Sequence, residues 1–316
     1  MPAPLPRGSD NPLAVATDVA LRARGVRTGA NFPRPAQTRV IVVANQKGGV
    51  GKTTSAVNLA AALALYGARV LLIDLDPQGN ASTALGVEHH ESVSSMYDVL
   101  VHQTPMSEVV QPAAGIEGLW CAPATIDLSG AEVELVTAVA RENRLRRALD
   151  AYLGAPELQG DDRYDYVFID CPPSLGLITV NALTAGREVL IPIQCEYYAL
   201  EGFSQLLKIV DLVTAQLNPE LEVSTVLLTM YDARTRLASQ VADEVRAHFG
   251  PTVLATVIPR SVRVSEAPSY SQTVMTYDPG STGALSYLEA ARELSSRHGA
   301  GATASPSTNG THEEHS

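Results

Sequence analysis

The sequence predicts an α/β protein built on a doubly wound, mainly parallel sheet with helices on both faces. Three observations carry that expectation. Short β-branched or Leu-rich runs are apolar throughout rather than alternating, as strands buried on both faces are. Helical patterns separate these runs, which is how parallel strands must be connected. A glycine-rich turn follows the first run and opens directly into a helix.

Residues 1–39 are rich in Pro, Gly, Ala and Arg, with six Arg against two Asp. They predict a mostly disordered basic arm with a short helix over Leu13 to Arg24. Strands are expected at 40–44, 70–73, 166–169, 189–193, 223–228 and 253–258. Helices fit Thr53 to Tyr66, about Leu135 to Tyr152, Leu200 to Leu217, Leu237 to Phe249 and Thr282 to Arg297. From His298 to Ser316 no large apolar residue occurs, so a disordered tail is expected. One α/β domain over 40–297 between two tails is the economical division.

Composition narrows the function classes. The 316 residues carry 23 basic and 34 acidic side chains, a net −11 that describes an acidic globular protein. No apolar run approaches the roughly 18–20 residues of a membrane span, and the N-terminus lacks the apolar core of a secretory signal. A cytoplasmic protein without stable membrane insertion is therefore expected. Cys121, Cys171 and Cys195 are widely spaced, which suggests buried thiols rather than disulfides or a thiolate metal site. The basic residues divide into 20 Arg and only Lys47, Lys52 and Lys208, and two of those lysines lie five positions apart. A coding bias toward Arg explains the scarcity but not the pair.

Both lysines fall in Asn45-Gln-Lys-Gly-Gly-Val-Gly-Lys-Thr-Thr54, between strand and helix. Glycine lets backbone N–H groups of such a loop close on an anion, and the helix N-terminus adds its positive end. The loop from Lys47 through Gly48, Gly49, Val50, Gly51, Lys52 and Thr53 to Thr54 is thus the candidate phosphate cradle of a P-loop NTPase. Lys52 would contact the terminal phosphates and the Thr53 hydroxyl would ligate magnesium. The usual pattern asks for Gly at position 46, where Gln46 stands; Lys47 is what the loop offers instead. A compact ammonium suits tight quarters beside a phosphate better than a planar guanidinium.

Two acidic segments belong with the loop. Leu71-Leu-Ile-Asp-Leu-Asp-Pro-Gln-Gly-Asn80 places Asp74 and Asp76 at the carboxyl edge of its strand, where open α/β sheets bind ligands. Asp170 follows four apolar residues in Tyr166-Val-Phe-Ile-Asp, the form of a Walker B strand whose carboxylate helps hold magnesium.

The Lys-Gly-Gly-x-Gly-Lys-Thr loop resembles the deviant Walker A box of the ParA/MinD family of P-loop ATPases. Asp74-Leu-Asp-Pro-Gln-Gly-Asn80, Asp170-Cys-Pro-Pro-Ser-Leu-Gly176, Thr229-Met-Tyr-Asp-Ala-Arg-Thr235 and Pro259-Arg-Ser-Val-Arg-Val-Ser-Glu-Ala-Pro268 are similar to the chromosomal ParA (Soj) subgroup. That resemblance implies a weak ATPase using ATP and Mg2+. It implies that Lys47 reaches the nucleotide of a second subunit, so that ATP makes a homodimer. It implies that Asp76 positions or activates the attacking water with Asp74 supporting it. It places Met230 and the Pro259-Arg260 turn near the adenine. Ser261 stands where the subgroup usually has Asn.

The resemblance further implies nucleoid association through non-specific double-stranded DNA, with hydrolysis stimulated by a ParB-type protein and origins segregated as a result. It leaves room for a polar scaffold protein. Net charge looks opposed to DNA, yet residues 234–263 hold five Arg against Asp243 and Glu244. Arg234 and Arg263 match the family's DNA-contacting arginines, with Arg236 and Arg246 as additions. The alternative is a membrane-associated division-site ATPase resembling MinD, but from Gly299 onward only Ala is apolar, leaving no amphipathic face for lipid. A third class, a ligase or a cluster-bearing reductase on the same loop, lacks an identifiable substrate or paired cluster cysteines.

Overall fold

The computed structural model describes residues 11–26, 29–196 and 203–297. The expected C-terminal tail lies outside these residues. The first half runs α1 (Pro12–Ala23), β1 (Arg39–Val43), α2 (Lys52–Leu65), β2 (Val70–Asp74), α3 (Asn80–Ala84), β3 (Gln111–Pro112), β4 (Leu119–Ala122), α4 (Leu128–Leu135) and α5 (Arg144–Leu153). The second runs β5 (Tyr166–Asp170), α6 (Leu177–Ala185), β6 (Glu188–Gln194), α7 (Phe203–Gln216), β7 (Glu222–Tyr231), α8 (Arg236–Phe249), β8 (Val253–Pro259), α9 (Val262–Glu266), α10 (Val274–Tyr277) and α11 (Thr282–Ser296). The strands form one sheet in the order β3-β4-β2-β5-β1-β6-β7-β8. Among the described strands only the two-residue β3 runs antiparallel to its neighbour. This is the doubly wound arrangement the apolar strands predict.

Alternation along each strand sends its apolar side chains to two cores. Val40 and Val42 of β1 join one, with side chains from α4 to α8 such as Leu145, Ile178 and Val241. Ile41 and Val43 join the other, against α2, α10 and α11. Every residue of β1, β2 and β5 is buried, so none of these strands has a polar face to show.

Two sequence expectations are corrected. The helix expected over about 135–152 is found only in its second half, as α5: α4 ends at Leu135 and α5 begins at Arg144, where Asn181 of α6 takes the Leu145 N–H at 3.2 Å and gives its own amide to the Arg141 carbonyl at 2.8 Å. A turn with Ala140 at φ 51° separates them. Likewise, the described part of the arm expected to be mostly disordered packs on the body. Val19 of α1 is fully buried, Phe32 stacks on Tyr66 at 4.5 Å, and Arg22 lies over the same ring while donating to the Leu65 carbonyl. The helix itself matches the expected 13–24 to within a residue, capped by the Asn11 side chain.

Close packing also fixes the α6–β6 turn. A Cβ on Gly186 would collide with Val42 Cγ2 in the central strand, a neighbour that cannot swing aside. Gly186→Ala is expected to destabilise the protein by about 1–3 kcal/mol through overpacking. Urea denaturation reads this, and an unchanged midpoint would contradict the packing described.

Candidate nucleotide-binding site

Parallel register brings the ends of β1, β2 and β5 to one edge: Asp170 lies opposite Val43 on one side and Asp74 on the other. The glycine-rich loop leaves β1 at this edge, so loop and carboxylates meet without further folding. Asn45, which the sequence did not flag, ties the loop down. Its amide donates to the Pro192 carbonyl at 2.8 Å and its Oδ1 accepts from the Lys47 N–H at 3.0 Å. Thr229, at the end of β7, donates its hydroxyl to the Val50 carbonyl at 2.8 Å. Gly49 and Gly51 have φ of 73° and 87°, backbone that only glycine adopts at little cost. Gly51 caps α2 without a side-chain hydrogen bond, leaving the first amides of a 14-residue helix aimed into the loop.

Lys52 starts that helix and is almost buried, its Nζ 3.4 Å from the Lys47 carbonyl. Burial pulls its pKa down, and Asp170 is the largest of the charges that oppose the shift. Lys47 itself is half-buried at the loop tip, and among the described residues no carboxylate of the chain pairs with it.

The three aspartates have different surroundings. Asp74 is fully buried and saturated, accepting from the Asp76 N–H, the Ser82 N–H and the Ser82 hydroxyl at 2.8–3.1 Å. Burial nevertheless pushes its pKa up to about 6. Asp76 is nearly buried, with its Oδ1 accepting from Gln78 N–H. The loop carrying Asp76 is therefore pinned by Asp74 at both ends. Asp170 is the opposite case: fully buried, with both carboxylate oxygens lacking a hydrogen-bond partner. Burial first and the Asp74 charge second hold its carboxyl well above the ordinary range, while the Thr53 hydroxyl and Lys52 ease the charge. An orphaned carboxylate beside a hydroxyl fits a hard divalent cation such as magnesium, which takes oxygen ligands.

A cavity of about 440 Å³ opens over this edge, bounded by Gly48, Gly49, Gly51, Lys52, Thr53, Thr54, Asp76 and Met230. Its size lies within the range of small-molecule sites. Met230 has a φ of 51°, a left-handed turn for a non-glycine residue at the rim. The far wall was not foreseen: Val264, Ala267, Pro268 and Val274 supply apolar surface, and Asn80, Thr83 and Gln272 supply polar groups. Asn58 of α2 holds that wall by accepting from the Val274 N–H at 2.8 Å. Pro259 and Arg260 are not among the lining residues; Arg260 is exposed and pairs with Glu196 at 3.1 Å.

Arg234 and Arg263 both follow strands at this same edge, one after β7 and one after β8, and both are exposed. Each is already paired: Arg234 bidentate with Asp232, Arg263 with Glu266 at 3.0 Å and Asp278 at 3.3 Å. Asp232 in the turn before α8, Glu266 at the end of α9 and Asp278 after α10 thus supply the acidic groups that temper the local positive charge.

A glycine-rich loop feeding a helix, a buried lysine, and aspartates closing two neighbouring parallel strands define a P-loop nucleotide hydrolase. The family model described as an AAA domain matches residues 38–223. The chain is 53% identical over 256 residues to the sporulation initiation inhibitor protein Soj of Bacillus subtilis, covering 81% of this chain and 98% of that one. It is 52% identical to the chromosome partitioning protein ParA of Caulobacter vibrioides, covering 82% and 94%. Among solved structures, it is similar to one described as cobyrinic acid a,c-diamide synthase from Mycobacterium smegmatis with bound ADP and magnesium. The TM-score there is 0.68 at 39% identity, over 82% of this chain and 94% of that one. The chain belongs to the ParA/Soj family of chromosome-partitioning ATPases. Among the described residues no helix is long and apolar enough to cross a membrane.

Proposed function

We propose that this ATPase is a dimerising switch: Mg2+·ATP closes two copies face to face, the closed form holds non-specific DNA, and hydrolysis stimulated by a ParB-type protein releases it. The observation that carries this reading is Lys47. A half-buried ammonium in the phosphate-binding loop, without a carboxylate partner among the described residues, is a charge that a second subunit's nucleotide can satisfy. Its backbone is tied by Asn45 and its carbonyl faces Lys52, so the side chain projects from a fixed base.

Within one subunit the loop amides and Lys52 bind and orient the phosphates, and Thr53 with Asp170 holds the cation. Bound there, the cation would supply charge neutralisation for the phosphate oxygens. Asp76, held by Asp74, orients the attacking water. Met230 and the wall from Val264 to Val274 enclose the base; Pro259 and Arg260 act at its outer margin. Arg234 and Arg263 exchange their carboxylate partners for DNA phosphates once two copies are aligned, placing the protein on the nucleoid. The energetics suit a switch, since a few kcal/mol of preference for the ATP-bound dimer shifts its population greatly. The ligase reading of the same loop is weaker, because identity is 53% to the partitioning relative against 39% to the synthase-named structure.

Lys47→Ala is the test. Light scattering with Mg2+·ATP is expected to show dimers for the wild type and monomers for the variant, with DNA retention lost in parallel. A variant that dimerises and binds DNA like the wild type would remove the basis of this reading.

A further inference from the structure

We propose that the cavity between α5 and residues 98–107 is a second small-molecule site, which takes an amphiphilic carboxylate with its head on Arg144 and Arg147 and its apolar body against Val99 and Met106. The cavity holds about 350 Å³, within the range of small-molecule sites, and shares no lining residue with the nucleotide cavity. α5 supplies one wall. Arg144, Arg147, Ala148, Ala151 and Tyr152 line it at the spacing of a single helix face, while Leu145 and Leu149 turn into the core. The facing wall is the helical turn Asp98–His102 and the residues after it, where Val99 and Met106 are buried and also line the cavity. Both walls therefore present apolar surface, and the charged groups stand at the two ends.

Charge selects the head group. Of the arginines between 141 and 147, Arg141 pairs with Glu142 and Arg146 with Asp150. Arg144 and Arg147 form no ion pair among the described residues, and these two are the ones that line the cavity. Arg144 Nη1 is buried and lacks a hydrogen-bond partner, an unfavourable state for a charged donor. Its position adds to the cost. Arg144 opens α5, no acidic residue stands in the first turn, and the positive end of the helix dipole opposes a cation there. An entering carboxylate relieves both penalties, since its two oxygens match the planar fork of a guanidinium. Glu157 lines the far end, so two arginines against one carboxylate leave a single net positive charge, which suits a monoanion rather than a phosphate dianion.

The test titrates the full chain with sodium octanoate by calorimetry, in saturating Mg2+·ADP so that the nucleotide cavity is closed to the probe. Acetate, the head alone, and 1-octanol, the body alone, are run in parallel. The wild type is expected to bind octanoate saturably and each control at least about tenfold more weakly. Arg144→Met/Arg147→Met is expected to lose octanoate affinity by at least about tenfold, the effect of one charge-assisted hydrogen bond, and to keep its weak affinity for octanol. Its urea midpoint should stay at or above the wild-type value, because neither arginine has an ion-pair partner to lose. Ala151→Trp, at an exposed position on the same face, is expected to fill the cavity and abolish octanoate binding in a folded protein. Absence of saturable octanoate binding to the wild type would overturn the proposal. So would octanol or acetate binding as tightly as octanoate, or undiminished octanoate affinity in either variant.

Discussion

Asp170→Asn is expected to give a protein that is more stable without cation than the wild type and yet hydrolyses ATP at least about 10²-fold more slowly. Both effects come from one arrangement. The carboxylate is fully buried, neither oxygen has a hydrogen-bond partner, and the neighbouring strand places Asp74 opposite it. A buried carboxylate that lacks a hydrogen-bond partner costs more than a buried amide even with Lys52 nearby, so the substitution relieves about 1–3 kcal/mol. The sign follows from the raised pKa. A carboxyl that holds its proton more tightly when folded contributes stability at acid pH, below its ordinary value of 3.8, and loses it as pH rises through the raised folded value. Asp74, raised to about 6, adds a loss between 3.8 and about 6. In EDTA, wild-type Tm should therefore decline above acid pH, and the Asn variant should decline less. Mg2+ with ATP should raise the wild-type Tm and leave the variant nearly unmoved. A variant that melts below the wild type throughout would show that Asp170 is satisfied within the protein.

What the sequence revealed and what it hid divide along a physical line. β1, the glycine loop, the β2 carboxylates and the β5 carboxylate are each written in a few consecutive residues. Their chemistry needs that order: an apolar strand, then a polar group at its end. Groups that meet only after folding left no such trace. Asn45 matters because Pro192, far along the chain, offers it a carbonyl, and Thr229 matters because Val50 does. The far wall of the cavity is built largely from ordinary apolar residues between Val264 and Val274, which become a wall only when Asn58 holds Val274. β4 is four residues long and α6 is apolar nearly all round, so neither shows a period that sets it apart. The basic arm misled for a related reason. Its composition is that of a disordered segment, but Val19 joins the core shared by α2, α10 and α11, and Phe32 and the buried Arg22 find partners at Leu65 and Tyr66, where α2 ends, that a local reading does not see.

The largest loss of stability is expected from Glu188→Ala, at the edge of the sheet opposite the nucleotide. Arg39 begins β1 and Glu188 begins the adjacent β6, and their side chains form a bidentate pair with both bonds at 2.7 Å. Both are nearly buried, and Arg39 spends a further donor on the Leu294 carbonyl at 2.8 Å while lying over the Tyr166 ring. Removing the carboxylate leaves a guanidinium in the core facing, among the described residues, the Leu294 carbonyl and the neutral Tyr166 side chain. Breaking a buried pair in this way costs about 3–5 kcal/mol, a large share of a domain's total stability. Removing both charges at once is a different experiment. Arg39→Met/Glu188→Leu replaces the pair with apolar groups of similar length, and such replacements are commonly neutral or stabilising. Urea unfolding should therefore show a large drop in midpoint for the single variant and recovery in the double. Because β1 separates the pair from the phosphate loop by about 16 Å, turnover per folded molecule should stay at the wild-type value in both. A single variant as stable as the wild type would mean that water reaches Arg39, and the cost assigned to its burial would then have to be withdrawn.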